Sequence, residues 1–188
     1  MSRNDWGVNY DQGLLLTSEV QRQLNVLLGM PLWSAGRAAE MLWLQLGAHV
    51  TAPTPRDLNR ITGEYALHLQ CPWRLSNSNG MIVGATDIYI PSDQFIDDED
   101  FDWDVQGASV ADVKLTDWIS ANSRNPLTVE EAIADHCGGF MLRLSNGDLF
   151  EAFTCTSSAS HEDEQWRLLQ PAKETKHFVV TNNGLIGE

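Results

Sequence analysis

The densest chemistry in the sequence is an acidic run with two interleaved aromatic residues. It occupies residues 97–104, reads DDEDFDWD and carries six carboxylates in eight positions. Because like charges this close repel one another, we expect an extended and exposed loop. The two rings could anchor a partner, or they could be tucked into the core beneath a solvated loop. The sequence favours a recognition loop for a basic protein, made of Asp97, Asp98, Glu99, Asp100, Phe101, Asp102, Trp103 and Asp104.

A predicted β-hairpin carries an alternative site. Asn79-Gly80 lies between alternating apolar residues, which is a strong signal for a two-residue hairpin turn. The predicted register places one polar row on one face and an apolar row on the other, because side chains alternate along a strand. A histidine and a carboxylate in such a row could do acid–base chemistry; equally, the row could be the solvent face of a half-buried sheet, with its Arg and Asp paired. The polar row is His68, Gln70, Arg74, Asp87 and Tyr89.

Metal and nucleophile motifs are weak. Three widely spaced cysteines predict reduced thiols, two of them in the core. His68 and Cys71 are three apart on a predicted strand and therefore point to opposite faces. The acidic run departs from a calcium-binding EF-hand, since Trp103 stands where that loop needs Gly and Ser109 where it needs Glu. We therefore predict no metal, no cofactor and no catalytic residue.

Charge is distributed unevenly along the chain. Residues 1–75 contain six Lys and Arg against six Asp and Glu, so the whole formal net charge of −14 comes from residues 76–188. An acidic surface disfavours nucleic acid, whose phosphates need basic contacts. It favours solubility and a basic protein partner.

The elements that must position these groups suggest an α+β fold. Apolar spacing from Thr17 predicts a helix that stops at Gly29 and Pro31, and Ser109 with Asp112 predicts a capped helix to Ala121. Residues 32–47 are ambiguous, with strand favoured for 40–47. Within that stretch, a buried Arg37 would need a carboxylate partner, whereas an exposed one would extend its head into water.

Short strands with turn signals fill the last third of the chain. They predict a mostly antiparallel sheet or partly open barrel with two or three packed helices. Strands are expected after Gly138-Gly139, on both sides of a turn at Asn146-Gly147, at 166–169 and at 177–180, followed by a short tail. We expect one domain over 1–188, with a possible seam at 92–108.

Two segments carry a resemblance. GEYALHLQCPWR with GMIVGATDIY, and later GGFMLRLSNGDLFEAF with EQWRLL, resemble a group of small uncharacterised bacterial proteins. The resemblance covers about half the chain and implies no catalytic residue. The acidic, strand-rich character is also loosely similar to immunity proteins of bacterial toxin systems.

Together these features predict a non-enzymatic acidic module that binds a basic protein, of immunity or antitoxin type. The N-terminal residues show no apolar signal region and the chain has no long apolar run, so we expect a cytoplasmic protein that does not enter a membrane. The alternative is a small-molecule-binding protein or enzyme that uses the polar hairpin face.

Overall fold

The computed structural model describes residues 10–94, 99–157 and 162–187. These residues form one antiparallel sheet of eleven strands with two α-helices, in agreement with the predicted α+β class. The helices are α1 (Tyr10–Leu24), which continues as a 3-10 turn (Asn25–Leu27), and α2 (Val110–Ala121). The strands are β1 (Pro31–Ala38), β2 (Met41–Thr51), β3 (Ile61–Leu69), β4 (Trp73–Asn77), β5 (Gly80–Gly84), β6 (Leu127–Ala134), β7 (Phe140–Leu144), β8 (Leu149–Ala152), β9 (Glu164–Leu169), β10 (Phe178–Thr181) and β11 (Gly184–Gly187).

The sheet is open, because its two edge strands β11 and β5 are not paired with each other, but it is strongly curved. Its strand order is β11-β10-β9-β3-β2-β1-β6-β7-β8-β4-β5. Four strands separate β9 from β7 in that order, yet the rings of Trp166 on β9 and Phe140 on β7 lie 4.9 Å apart. The sheet therefore bends round until its two halves share one apolar core, which includes leucines of β2, β3 and β7.

Helix α1 lies along this core through Val20 and Leu24. Its 3-10 continuation ends at Leu27, just before the predicted stop at Gly29, which takes the left-handed conformation (φ 76°) that favours glycine after a helix. The predicted start at Thr17 was wrong, since the helix already includes Tyr10. Apolar spacing marks only the buried part of a helix, and the earlier Leu14 and Leu15 are exposed. Among the described residues, no helix is long and apolar enough to cross a bilayer.

The predicted hairpin is divided into three strands. The extended strand is interrupted at residues 70–72, which include Pro72. As a result, β3 pairs with β2 and β9, whereas β4 pairs with β5 and β8. The turn is one residue earlier than predicted, because Asn77 pairs with Gly80. Strand β5 then stops at Gly84, and a 3-10 helix (Ala85–Tyr89) follows it. The predicted pairing of Pro72 with Asp87 and of Gln70 with Tyr89 was therefore wrong.

Residues 31–51 form a two-stranded hairpin rather than a helix. Strands β1 and β2 turn at Ala39, whose φ is 52°, and Glu40. Intrinsic helix preference is a weak prior that sheet pairing on both sides overrides here. Near the C-terminus the predicted tail was also wrong, because Asn182 and Asn183 form a turn into β11, which begins at Gly184.

Candidate functional site

The polar row predicted on the hairpin does not form one site. Arg74 on β4 is paired with Glu151 of β8 (Nη2–Oε1 2.8 Å) and lies over the ring of Phe153. Asp87 accepts the backbone N–H of Gly84 and has Lys114 3.8 Å away. These two residues therefore have local structural partners.

His68 lies on a different part of the sheet, together with aromatic and basic groups. On β3 it is half-buried between Trp43 of β2 and Arg167 of β9, which are its register partners. It lines a cavity of about 370 Å³ on the outer face of β1, β2 and β3. The cavity wall consists of Trp33, Ser34, Ala38, Met41, Trp43, Gln45, Arg60, Ile61 and His68.

Two irregularities in the strands shape this cavity. The pairing of β1 with β2 shifts register between Leu32 and Ser34, which places Trp33 at a β-bulge. The pairing of β2 with β3 shifts after Leu46, at Gly47, whose φ is 80°. The Gly47 carbonyl accepts the Trp33 indole N–H at 3.1 Å, and the Trp33 ring meets His49 edge to face. Bulges redirect side chains in this way next to functional sites.

Trp43, the second tryptophan of the cavity, packs closely against the backbone of Gly36. Trp43 is the register partner of Gly36, and a Cβ built on Gly36 would come within 2.4 Å of the Trp43 ring. Only glycine leaves room for the ring at this position. The ring of Trp43 is thereby held as one wall of the cavity.

Gln45 forms the floor of the cavity and is 8% exposed. Its Oε1 accepts the Thr62 hydroxyl at 2.6 Å and the Gly63 N–H at 2.7 Å. Because a backbone N–H can only donate, these contacts define which end of the amide is the oxygen. The amide nitrogen has no hydrogen-bond partner among the residues described.

The surroundings of His68 favour its neutral form. Burial lowers the pKa of His68, and the nearby Arg167 lowers it further, against an opposing effect of Glu164. Arg167 donates from Nε to Glu164 at 2.6 Å, and its Nη1 lies 3.0 Å from Nδ1 of His177. Burial alone would raise the pKa of Glu164, but the hydrogen bond and charge of Arg167, together with smaller effects of Gln70 and His68, outweigh burial and leave that pKa lowered.

A second cavity, of about 470 Å³, adjoins the first. The two share Ala38 and Met41 as wall residues, and the second also includes Glu40, Gln70 and Trp103. Tyr89 contacts two residues of this wall, since its hydroxyl donates to Glu40 and its ring meets Trp103 edge to face at 5.6 Å. The fold thus brings Gln70 and Tyr89 of the predicted polar row next to Trp103 of the predicted acidic loop.

The acidic loop is described from Glu99 onward; Asp97 and Asp98 lie outside the described residues. Its other carboxylates are exposed, and in the described part of the chain none of them takes part in an ion pair. They belong to Glu99, Asp100, Asp102 and Asp104. Phe101 and Trp103 are half-buried, and Trp103 packs against the core.

A buried ion pair holds the end of this loop. Arg37 on β1 donates to both carboxylate oxygens of Asp112 on α2, and its Nη2 also donates to the Val105 carbonyl at 3.0 Å. Asp112 Oδ2 in turn accepts the Gly107 N–H at 3.0 Å. Burial alone would raise the pKa of Asp112, but hydrogen bonds from Arg37 and Ser109 outweigh it and leave the pKa lowered.

The three cysteines differ in their surroundings. Cys71 is buried, and burial raises the pKa of its thiol to about 12, so it is not a thiolate at neutral pH. Cys137 and Cys155 are exposed, so the prediction of two core cysteines was wrong. Within residues 10–94, 99–157 and 162–187, no three His, Cys, Asp or Glu side chains are grouped as a metal site would require.

No protein-family model, curated protein or solved structure matches this chain. Any functional argument therefore depends on the geometry of the chain itself.

Sequence reasoning missed most of the cavity. It identified His68 as a candidate site residue. It missed Trp33, Trp43 and Gln45, whose common face depends on the two bulges. Gly36 and Gly47 were the available signals, because glycine inside a strand often marks a bulge or a close approach.

Proposed function

We propose that this chain is a non-enzymatic protein-binding module of immunity or antitoxin type, which neutralises a basic partner through its acidic loop. The observation that carries the proposal is the set of exposed carboxylates on residues 99–104, which form no ion pair with any described residue and lie next to a buried anchor at Arg37 and Asp112. A loop held at one end loses less conformational entropy on binding than a free one.

Charge complementarity is the physical basis of the recognition. The net charge of −14 comes from residues 76–188, so a basic protein approaches an attractive field. Exposed charges separated by more than about 8–10 Å are screened at physiological salt, so the interaction weakens as ionic strength rises. The half-buried Trp103 holds the loop against Tyr89, and the carboxylates make the contact.

Affinity capture from the native cell tests this proposal. Wild-type protein is expected to retain a basic protein that elutes as salt is raised. A loop variant with neutral amides should lose that protein. The loop substitutions are Asp97→Asn, Asp98→Asn, Glu99→Gln, Asp100→Asn, Asp102→Asn and Asp104→Asn.

A control variant removes five exposed carboxylates elsewhere and is expected to retain the partner. The control substitutions are Asp117→Asn, Glu130→Gln, Glu162→Gln, Asp163→Asn and Glu174→Gln. Equal capture by the loop variant and the wild type would refute the loop as the binding surface.

A small-molecule role is the second candidate function. The specific observation in its favour is the cavity beside His68, which has two tryptophans in its wall and the amide group of Gln45, whose nitrogen has no partner among the described residues. Arg74 and Asp87 have partners on other parts of the fold and do not line this cavity.

A further inference from the structure

We propose that the cavity between β1, β2 and β3 is a binding site for a small aromatic carboxylate. This goes beyond the protein-binding role, because it uses residues of a different surface. Its walls, its floor and its charge each point to the same class of ligand.

The walls suit a flat ring. The cavity volume of about 370 Å³ falls at the small end of the range for small-molecule sites. Trp33 and Trp43 supply aromatic surface, and each is held in place, one by the Gly47 carbonyl and the other by close approach to Gly36. Rigid aromatic walls favour a planar apolar ligand by stacking and by burial of its surface.

The floor supplies an unused donor. Gln45 is more than nine-tenths buried, and its oxygen already accepts from Thr62 and Gly63. Its amide nitrogen has no hydrogen-bond partner in the described part of the protein, and it is not fully buried. A ligand oxygen can therefore take the place of water against this donor.

The charge around the cavity selects an anion. Arg60 is in the wall and has no carboxylate partner among the described residues, and His68 adds a second nitrogen donor. Of the described residues, no Asp or Glu contributes to this wall. The chain as a whole has a net charge of −14, so this pocket differs from the rest of the surface. We expect its hydrogen-bond donors to bind a carboxylate more tightly than a neutral or cationic group.

Binding of 2-naphthoate to the full chain, measured by calorimetry and by quenching of tryptophan fluorescence, tests the site. We expect saturable binding at one site per chain. The uncharged 2-naphthamide should bind at least about tenfold more weakly, because a charge-assisted hydrogen bond is roughly twice as strong as a neutral one. Equal affinity for acid and amide would overturn the assignment to an anion. Absence of saturable binding by 2-naphthoate, benzoate and indole-3-carboxylate up to about 10 mM would overturn the site itself.

Two variants locate the ligand. Gln45→Glu retains an oxygen for Thr62 and Gly63 but replaces the donor with an anionic acceptor, so 2-naphthoate binding should be lost. Arg60→Gln, at an exposed position that does not endanger folding, should weaken binding about tenfold. Arg56→Gln removes a neighbouring exposed charge outside the cavity and should leave affinity unchanged. Wild-type affinity in both Gln45→Glu and Arg60→Gln would place the ligand elsewhere and refute the proposal.

The neutralised acidic-loop variant separates this site from the protein-binding role. It is expected to bind 2-naphthoate as the wild type does, even though it loses the basic partner. Loss of both activities in that variant would contradict an independent site.

Discussion

Arg37 on β1 and Asp112 on α2 form a buried ion pair, with Nε 2.7 Å from Oδ1 and Nη2 2.8 Å from Oδ2. The Arg37 side chain is fully buried, and the pair joins the sheet, the helix cap at Ser109 and the end of the acidic loop at Val105. This arrangement resolves the alternatives for Arg37, since the buried guanidinium has the carboxylate partner that burial requires.

Removing one member of this pair should be severely destabilising. Arg37→Met leaves the Asp112 carboxylate buried without its guanidinium, and we expect the free energy of unfolding to fall by about 3–5 kcal/mol. Urea denaturation measures the change. The matched control is Arg74→Met, because the Arg74–Glu151 pair is exposed and its loss should cost less than about 1 kcal/mol. Similar losses of unfolding free energy in the two variants would contradict a larger contribution from the buried pair.

The depressed pKa of His68 predicts a specific pH dependence of stability. Its ordinary pKa is 6.5, and the folded environment lowers it, so the unfolded chain binds the proton at higher pH than the folded chain does. The stabilisation is therefore fully present above pH 6.5 and is lost as pH falls through the folded pKa.

Thermal unfolding of wild type and of His68→Asn between pH 5 and 8 measures this effect. The wild type should lose stability below pH 6.5 more steeply than the variant. His136→Asn, at an exposed turn, serves as the matched substitution. If thermal stability falls with pH in the same way for wild type and His68→Asn, the result would be inconsistent with a depressed pKa of His68.

Packing of Trp43 on Gly36 predicts a sharp steric effect. Gly36→Ala places a Cβ within 2.4 Å of the ring, so Trp43 must move. We expect a loss of about 1–3 kcal/mol in stability from overpacking, together with a shift in tryptophan emission. Gly84→Ala is the control, because its Cβ would meet the flexible Met81 sulfur at 3.2 Å and the Trp73 carbonyl oxygen at an ordinary contact distance of 3.7 Å. Wild-type emission and stability in Gly36→Ala would contradict the close contact.

The three thiols should divide into two classes of reactivity. Cys137 and Cys155 are exposed and should react with a thiol reagent at pH 8 in the native protein. Cys71, with a pKa raised to about 12 by burial, should react only after unfolding. Mass spectrometry of labelled peptides distinguishes the three sites. Native labelling of Cys71 would show that β3 and β4 open at their junction.

The sequence alone determined the features that depend on neighbours along the chain. Helix α2 with its Ser109–Asp112 capping box, the end of the first helical segment just before Gly29 and the alternating β7 with its following turn were all predicted and confirmed. Each depends on contacts within a few residues, so local pattern suffices. The charge asymmetry likewise follows from composition.

Tertiary structure alone decided which faces and partners came together. The break at Pro72 sends β3 and β4 to different neighbours, which separates His68 from Arg74. The bulges at Trp33 and Gly47 each shift the strand register by one residue. A shift of one residue moves the side chains that follow it to the opposite face of the sheet. The partner of Arg37 is 75 residues away on α2. Long-range pairing depends on how the whole sheet curves, and that is why the buried ion pair and the tryptophan cavity could not be found from residue types and spacing.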